Sequence, residues 1–177
     1  MARIAVLGIG NILMGDDAAG PHVVEVLEAA YAFPPDVAVI EAGTPGLDLT
    51  SVLHGVETLL VVDSVHAKAP PGTIRVYDRA KLLERSPALA MSPHEPGLRE
   101  ALLTMDFHGG GPREVWLVGV VPGQVRTGIG LTPEVRAAIP RLVDEVVARL
   151  AALGAAPIAR DPPGVPDLWW EQRPDRG

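Results

Sequence analysis

A three-layer α/β sandwich around a largely parallel sheet is the fold this sequence predicts. Short apolar runs alternate along the chain with helix-like runs, the apolar runs carry no polar alternation, and the helix-like runs begin at recognisable start signals. Strands buried on both faces need apolar side chains in both directions, so they read as continuous runs. The alternation asks for crossover helices, which cover both faces of the sheet.

Five runs qualify as strands: Ile4–Leu7, Val37–Ile40, Leu59–Val62, Ile74–Tyr77 and Val115–Val121. After the first comes a glycine turn and then Pro21, placed for the first turn of a helix. Pro45 opens a short helix through Leu47, Leu49, Val52 and Leu53. A fourth apolar stretch, Leu98 to Met105, reads as a helix that follows the Ala90–Gly97 loop. Thr132-Pro133-Glu134 opens the longest helix, with Val135, Ala138, Leu142, Val146, Leu150 and Leu153 at spacings of three and four before Gly154 ends it. Pro140 is predicted to kink or divide that helix, because it removes a hydrogen bond from its interior. Strand order is not encoded in these runs.

The chain has 177 residues, 47% of them hydrophobic, which suits one compact domain over residues 1–154. Residues 155–177 hold five prolines and form a Pro-rich tail predicted to be mostly mobile, with Trp169-Trp170 as the part suited to dock on the body or on a partner. No run approaches the roughly 18 apolar residues of a membrane span. Met1-Ala2-Arg3 leads straight into a strand, not into a signal peptide, so the expected location is the cytoplasm. With no cysteine, disulfides, thiol nucleophiles and thiolate metal sites are excluded, and any metal falls to carboxylate, imidazole or backbone oxygen. A formal charge of −7 argues against nucleic acid, which needs basic residues to neutralise phosphates.

In an open α/β sheet, ligands gather beyond the carboxyl ends of the strands. Three chemistry-bearing positions fall there. Gly8-Ile9-Gly10-Asn11 leads to Asp16 and Asp17 at a helix start, where carboxylates are favoured by the helix dipole. They would repel a pyrophosphate, and Leu13 stands where the dinucleotide fingerprint needs its third glycine. The Leu59–Val62 run ends directly in Asp63, and Ser92-Pro93-His94 precedes the Leu98–Met105 helix. Each has a plainer reading: Asp16 or Asp17 as a helix cap, Asp63 as a turn residue, Ser92 with Glu95 as a capping box. If two carboxylates and an imidazole converge, they make a three-ligand site with open positions, suited to a divalent metal that substrate or water must also reach. Ser64 lies beside Asp63 and near His66, but the glycine elbow of an activated serine is missing. His22, His54 and His108 read as surface residues.

Read in order, Gly8-x-Gly10-Asn11-x-Leu13-x-x-Asp16-Asp17-x-x-Gly20, Gly43-Thr44-x-Gly46, Val62-Asp63-Ser64, Ser92-Pro93-His94, Val118-Gly119-Val120-Val121-Pro122 and Gly130-Leu131-Thr132-Pro133 resemble the hydrogenase maturation endopeptidases, from residue 3 to about 153. Those enzymes remove a C-terminal extension from the large subunit of nickel-iron hydrogenases. The resemblance implies a mixed five-stranded sheet with one antiparallel strand, assigned here to Thr73–Tyr77. It implies metal-binding and catalytic roles for Asp17, Asp63 and His94, some relatives having glutamate in place of Asp17. Gly10, Asn11, Asp16, Gly43, Thr44 and Ser64 are the expected pocket residues. The implied metal is nickel carried by the substrate, with zinc or cadmium as surrogates and no organic cofactor. The implied partner is the hydrogenase large-subunit precursor, met by a monomer without nucleic acid or membrane insertion. Ala18 departs from the family's commoner Asp-Gly-x-Gly turn. Two other classes use similar ligands: a stand-alone zinc peptidase that keeps its metal, and a nickel-delivery module that cleaves nothing.

Overall fold

The computed structural model describes residues 3–43, 49–84 and 95–172, so the expectations resting on Thr44, Pro45, Ser92 and His94 lie outside the described residues. Along the chain the elements are β1 (Ile4–Ile9), α1 (Ala19–Ala30), β2 (Tyr31–Ala32), β3 (Val37–Gly43), α2 (Leu49–Val52), β4 (Thr58–Ser64), β5 (Ile74–Asp78), α3 (Arg79–Leu83), α4 (Glu95–His108), β6 (Glu114–Val120), α5 (Pro133–Ala152) and β7 (Ile158–Ala159). Five strands form the main sheet in the order β3-β1-β4-β6-β5. β1 runs parallel to β3 and β4, and β4 parallel to β6. β5 alone is antiparallel, pairing Ile74 with Val120 and Asp78 with Trp116, as assigned from the resemblance.

The continuous apolar runs divide by parity between two cores. Ile4 and Val6 of β1, with Leu60 and Val62 of β4, face Val23 and Leu27 of α1 and Val135, Leu142, Val146 and Leu150 of α5. Ala5, Leu7, Leu59 and Val61 point the other way, to Leu53, Leu82, Leu98, Leu102 and Met105 beside α2, α3 and α4. Burying a Leu or Val side chain on either face contributes about 1.5–3 kcal/mol, so the period-2 geometry of a strand makes both helical layers necessary.

Two glycines set how closely the first helix approaches the sheet. A Cβ on Gly20 would collide with the carbonyl oxygens of Ile9 and Val62, and one on Gly10, whose φ is +151°, would collide with the Asp17 carbonyl. Side chains at either position would push α1 and its preceding turn off the strand ends, and with them Asp17.

The structure corrects several expectations. α5 is one undivided helix through Pro140, which lies on its exposed face, where the carbonyl left without a partner can be solvated. α3 was not legible as a helix; its start is made by Asp78, whose Oδ1 accepts the Lys81 backbone N–H at 2.9 Å. The stretch expected to be mostly mobile makes defined contacts over 155–172. β7 pairs antiparallel with β2, Arg160 Nε donates to the Tyr31 carbonyl at 3.0 Å, and the Gly164 N–H donates to the Ala29 carbonyl at 2.8 Å. Trp170 is buried against the body while Trp169 stays exposed, the two rings meeting edge to face. Among the described residues no helix is long and apolar enough to cross a membrane.

Candidate active site

β1 and β4 are neighbours, so the residues that follow their carboxyl ends arrive side by side. After β1 the chain makes a loop and a 3-10 turn, Gly15–Ala18, that carries Asp16 and Asp17 into the start of α1. Ala18 sits at φ −76°, ψ 0°, a conformation open to any residue, so the glycine common at this position in relatives is not needed here.

Asp17 and Asp63 are both buried, and Ser64 joins them. Its backbone N–H donates to Asp63 Oδ1 at 2.8 Å and its hydroxyl donates to Asp17 Oδ1 at 3.0 Å. The Asn11 N–H donates to Asp17 Oδ2 at 2.9 Å. Of the three predicted ligands, Asp17 and Asp63 follow neighbouring strands and each is hydrogen-bonded to Ser64; His94 lies outside the described residues. Ser64 is therefore hydrogen-bonded to both carboxylates. Gly43 comes in from β3, its carbonyl accepting the Gly10 N–H at 2.9 Å, so the predicted pocket residues Gly10, Asn11, Gly43 and Ser64 share this edge.

Asp16 has a different task from its neighbour. Its carboxylate, fully buried, accepts the backbone N–H groups of Gly123 (2.8 Å), Gln124 (2.9 Å) and Thr132 (2.7 Å) and the Thr132 hydroxyl (2.8 Å). Three of these donors meet Oδ2 and one meets Oδ1, so Asp16 is a clamp for the β6–α5 loop. Neither aspartate is a side-chain cap of α1, which has none. Thr132, read as a helix start, likewise spends its hydroxyl on Asp16 and not on α5. The clamp partners were not legible because they lie more than 100 residues away in the chain.

His22, expected on the surface, is buried on α1 beneath the C-terminal segment. Burial lowers its pKa from the ordinary histidine value, partly opposed by Glu171, whose Oε1 lies 3.9 Å from Nδ1, and reinforced by Arg136. His54 and His108 are exposed as expected, and His66 is exposed as well. His54 and His108 line a hollow of about 690 Å³ between α2 and α4, with Thr50, Ser51, Thr104 and Met105; its described wall holds none of the described candidate site residues.

Comparison with known proteins identifies the family. Residues 21–149 match the model of the hydrogenase maturation protease family. The chain is 37% identical over 163 residues to the hydrogenase 2 maturation protease of Escherichia coli K12, covering 90% of this chain and 97% of that protein. It is 36% identical over 159 residues to the hydrogenase expression/formation protein HupD of Rhizobium leguminosarum, covering 89% and 79%. Among solved structures, the hydrogenase maturating endopeptidase HybD from E. coli superposes with a TM-score of 0.81 at 36% identity, over 90% of this chain and 99% of that one. The [NiFe] hydrogenase maturation protease HybD from Thermococcus kodakarensis gives 0.68 at 27% identity, over 84% and 99%. A matching model over most of the chain, relatives aligned nearly end to end and a shared mixed five-stranded sheet place this chain in the hydrogenase maturation protease family, as a peptide-bond hydrolase that processes proteins for hydrogenase maturation.

Proposed function

We propose that this protease removes the C-terminal extension of a nickel-loaded [NiFe]-hydrogenase large-subunit precursor, and that Asp17, Asp63 and His94 read the nickel the precursor carries. The observation that supports this most is Ser64, whose backbone N–H and hydroxyl bond two buried carboxylates that follow neighbouring strands at the sheet's carboxyl edge. Two carboxylates with an imidazole form a hard-to-borderline donor set that suits a divalent first-row ion such as nickel, with zinc or cadmium as surrogates. With no cysteine in the chain, the set has no soft thiolate to retain an ion permanently.

The metal, in this reading, belongs to the substrate. Carboxylates waiting at the edge bind a precursor whose nickel is in place more tightly than one without it, and so bring the bond to be cut to the site only in mature precursors. The test is incubation with nickel-loaded and nickel-free large-subunit precursor, followed by mass analysis of the precursor's C-terminus. Shortening of the loaded form alone is the expected result. Equal cleavage of both forms, or of neither, overturns the reading.

A further inference from the structure

We propose that Leu13, Val125 and Ile129 form an apolar ledge that seats the polypeptide substrate beside Asp17 and Asp63, gripping apolar side chains of the segment next to the cleaved bond. This rests on the site proposed above. The three side chains are large, apolar and exposed, by 54%, 38% and 58%. They belong to two loops: Leu13 follows β1, and Val125 and Ile129 lie between β6 and α5.

Those loops are fastened into one piece. The Gly128 N–H donates to the Leu13 carbonyl and the Gly15 N–H to the Gly128 carbonyl, each at 2.9 Å, and the Asp16 N–H donates to the Gln124 carbonyl at 2.9 Å. Met14 and Gly128 pair as an isolated parallel bridge. The Asp16 carboxylate then binds both ends of the second loop, at Gly123–Gln124 and at Thr132. Ile129 stands between Gly128 and Gly130, at φ +155° and +99°, conformations that residues with a side chain rarely adopt. A loop free to move would fold such side chains inward; this one is held in a shape that presents them.

The ledge is also continuous with the site. The Leu13 N–H donates to Asn11 Oδ1 at 2.9 Å, and the Asn11 N–H donates to Asp17 Oδ2 at 2.9 Å. Leu13 is therefore two hydrogen bonds from a candidate metal-binding carboxylate. An apolar surface gives no purchase to an ion or a nucleotide. Beside the cutting site of a peptidase, it fits a polypeptide carrying apolar side chains.

The test uses the full chain with Leu13→Ser, Val125→Ser and Ile129→Ser, singly and together, and with Phe107→Ser on α4 as a control. Phe107 is 89% exposed and belongs to neither loop. Two quantities are read: the affinity for nickel-loaded large-subunit precursor, and KM and kcat for its cleavage. Losing one buried aliphatic contact weakens binding about tenfold or more, so the triple variant is expected to raise Kd and KM by at least that much, with kcat little changed. Ile129→Leu is expected to retain most of the affinity, and Phe107→Ser all of it. Wild-type Kd and KM in the triple variant overturn the ledge while leaving the cleavage reading intact. If the wild type binds the precursor without cutting it, the cleavage reading fails and Kd alone still decides the ledge. Should the ledge variants only dissociate a dimer of this chain, with Kd for the precursor unmoved, the ledge is a self-association surface and the proposal is overturned.

Discussion

Four donors surround the Asp16 carboxylate, whereas Asp17, the next residue, turns its carboxylate toward Ser64 and Asp63. Adjacent side chains in a 3-10 turn point to different sides, so one aspartate holds the loop and the other faces the site. The two are expected to separate by mutation. Asp16→Ala strands four donors, some of them buried, and each such donor costs about 1–3 kcal/mol; urea unfolding should therefore show a loss of about 3 kcal/mol or more. A loss within the scatter of ordinary surface substitutions would mean that the clamp contributes nothing. Asp17→Asn and Asp63→Asn keep shape but remove charge, as His94→Ala removes a nitrogen donor. Changes to groups that merely orient a metal's ligands cost about 10–100-fold, so each of these three should reduce nickel-dependent processing by at least that much. Their melting temperatures should stay near the wild-type value. Normal precursor cleavage by any two of them would remove the assignment.

Between elements, the C-terminal segment is the least expected packing. Residues 155–172 run back along α1: β7 on β2, Gly164 on Ala29, then Trp170 buried and Glu171 paired with Arg136 of α5 at 2.8 Å. His22 lies under this cover, facing Glu171 and Arg136, and its Nδ1 has no hydrogen-bond partner. Desolvation holds its pKa below the ordinary value, so the unfolded chain binds this proton at a higher pH than the folded chain does. Stability from this group is complete above the unfolded value of about 6.5 and declines as pH falls from there toward the lowered folded value. Wild-type unfolding free energy should thus drop between pH 7 and 5 by more than in His22→Leu, as read from denaturant curves at each pH. Parallel curves for the two proteins would show that burial of His22 is not coupled to folding.

At the scale of the whole molecule, the sheet order β3-β1-β4-β6-β5 sets β1 and β4 at the centre, with both carboxylates at their ends and a helical layer on each side. In the proposed reading, a site of two carboxylates and an imidazole without thiolate exchanges metal instead of trapping it. Protein purified without added metal is therefore expected to be largely metal-free by elemental analysis, taking up nickel, zinc or cadmium only when they are supplied in excess. A stoichiometric metal that survives dialysis against chelator would instead point to a resident-zinc peptidase.

The apolar runs by themselves determined the five main strands to within a few residues, the layered α/β class and the ends of the longest helix. Burial on both faces leaves no freedom in composition: a strand such as Leu59–Val62 must be apolar in every position, and that is visible locally. The resemblance carried by the motif order was likewise enough to assign the antiparallel strand. Only the tertiary structure decided what adjacent residues do. Asp16 and Asp17 look alike in sequence, and their roles differ because donors from Gly123, Gln124 and Thr132 meet one and Ser64 meets the other. His22 looks like a surface residue until Trp170 and Glu171 return from the far end of the chain to cover its helix. Contacts between residues 100 or more apart along the chain depend on strand order and helix crossings, and the local pattern of apolar and polar residues carries neither.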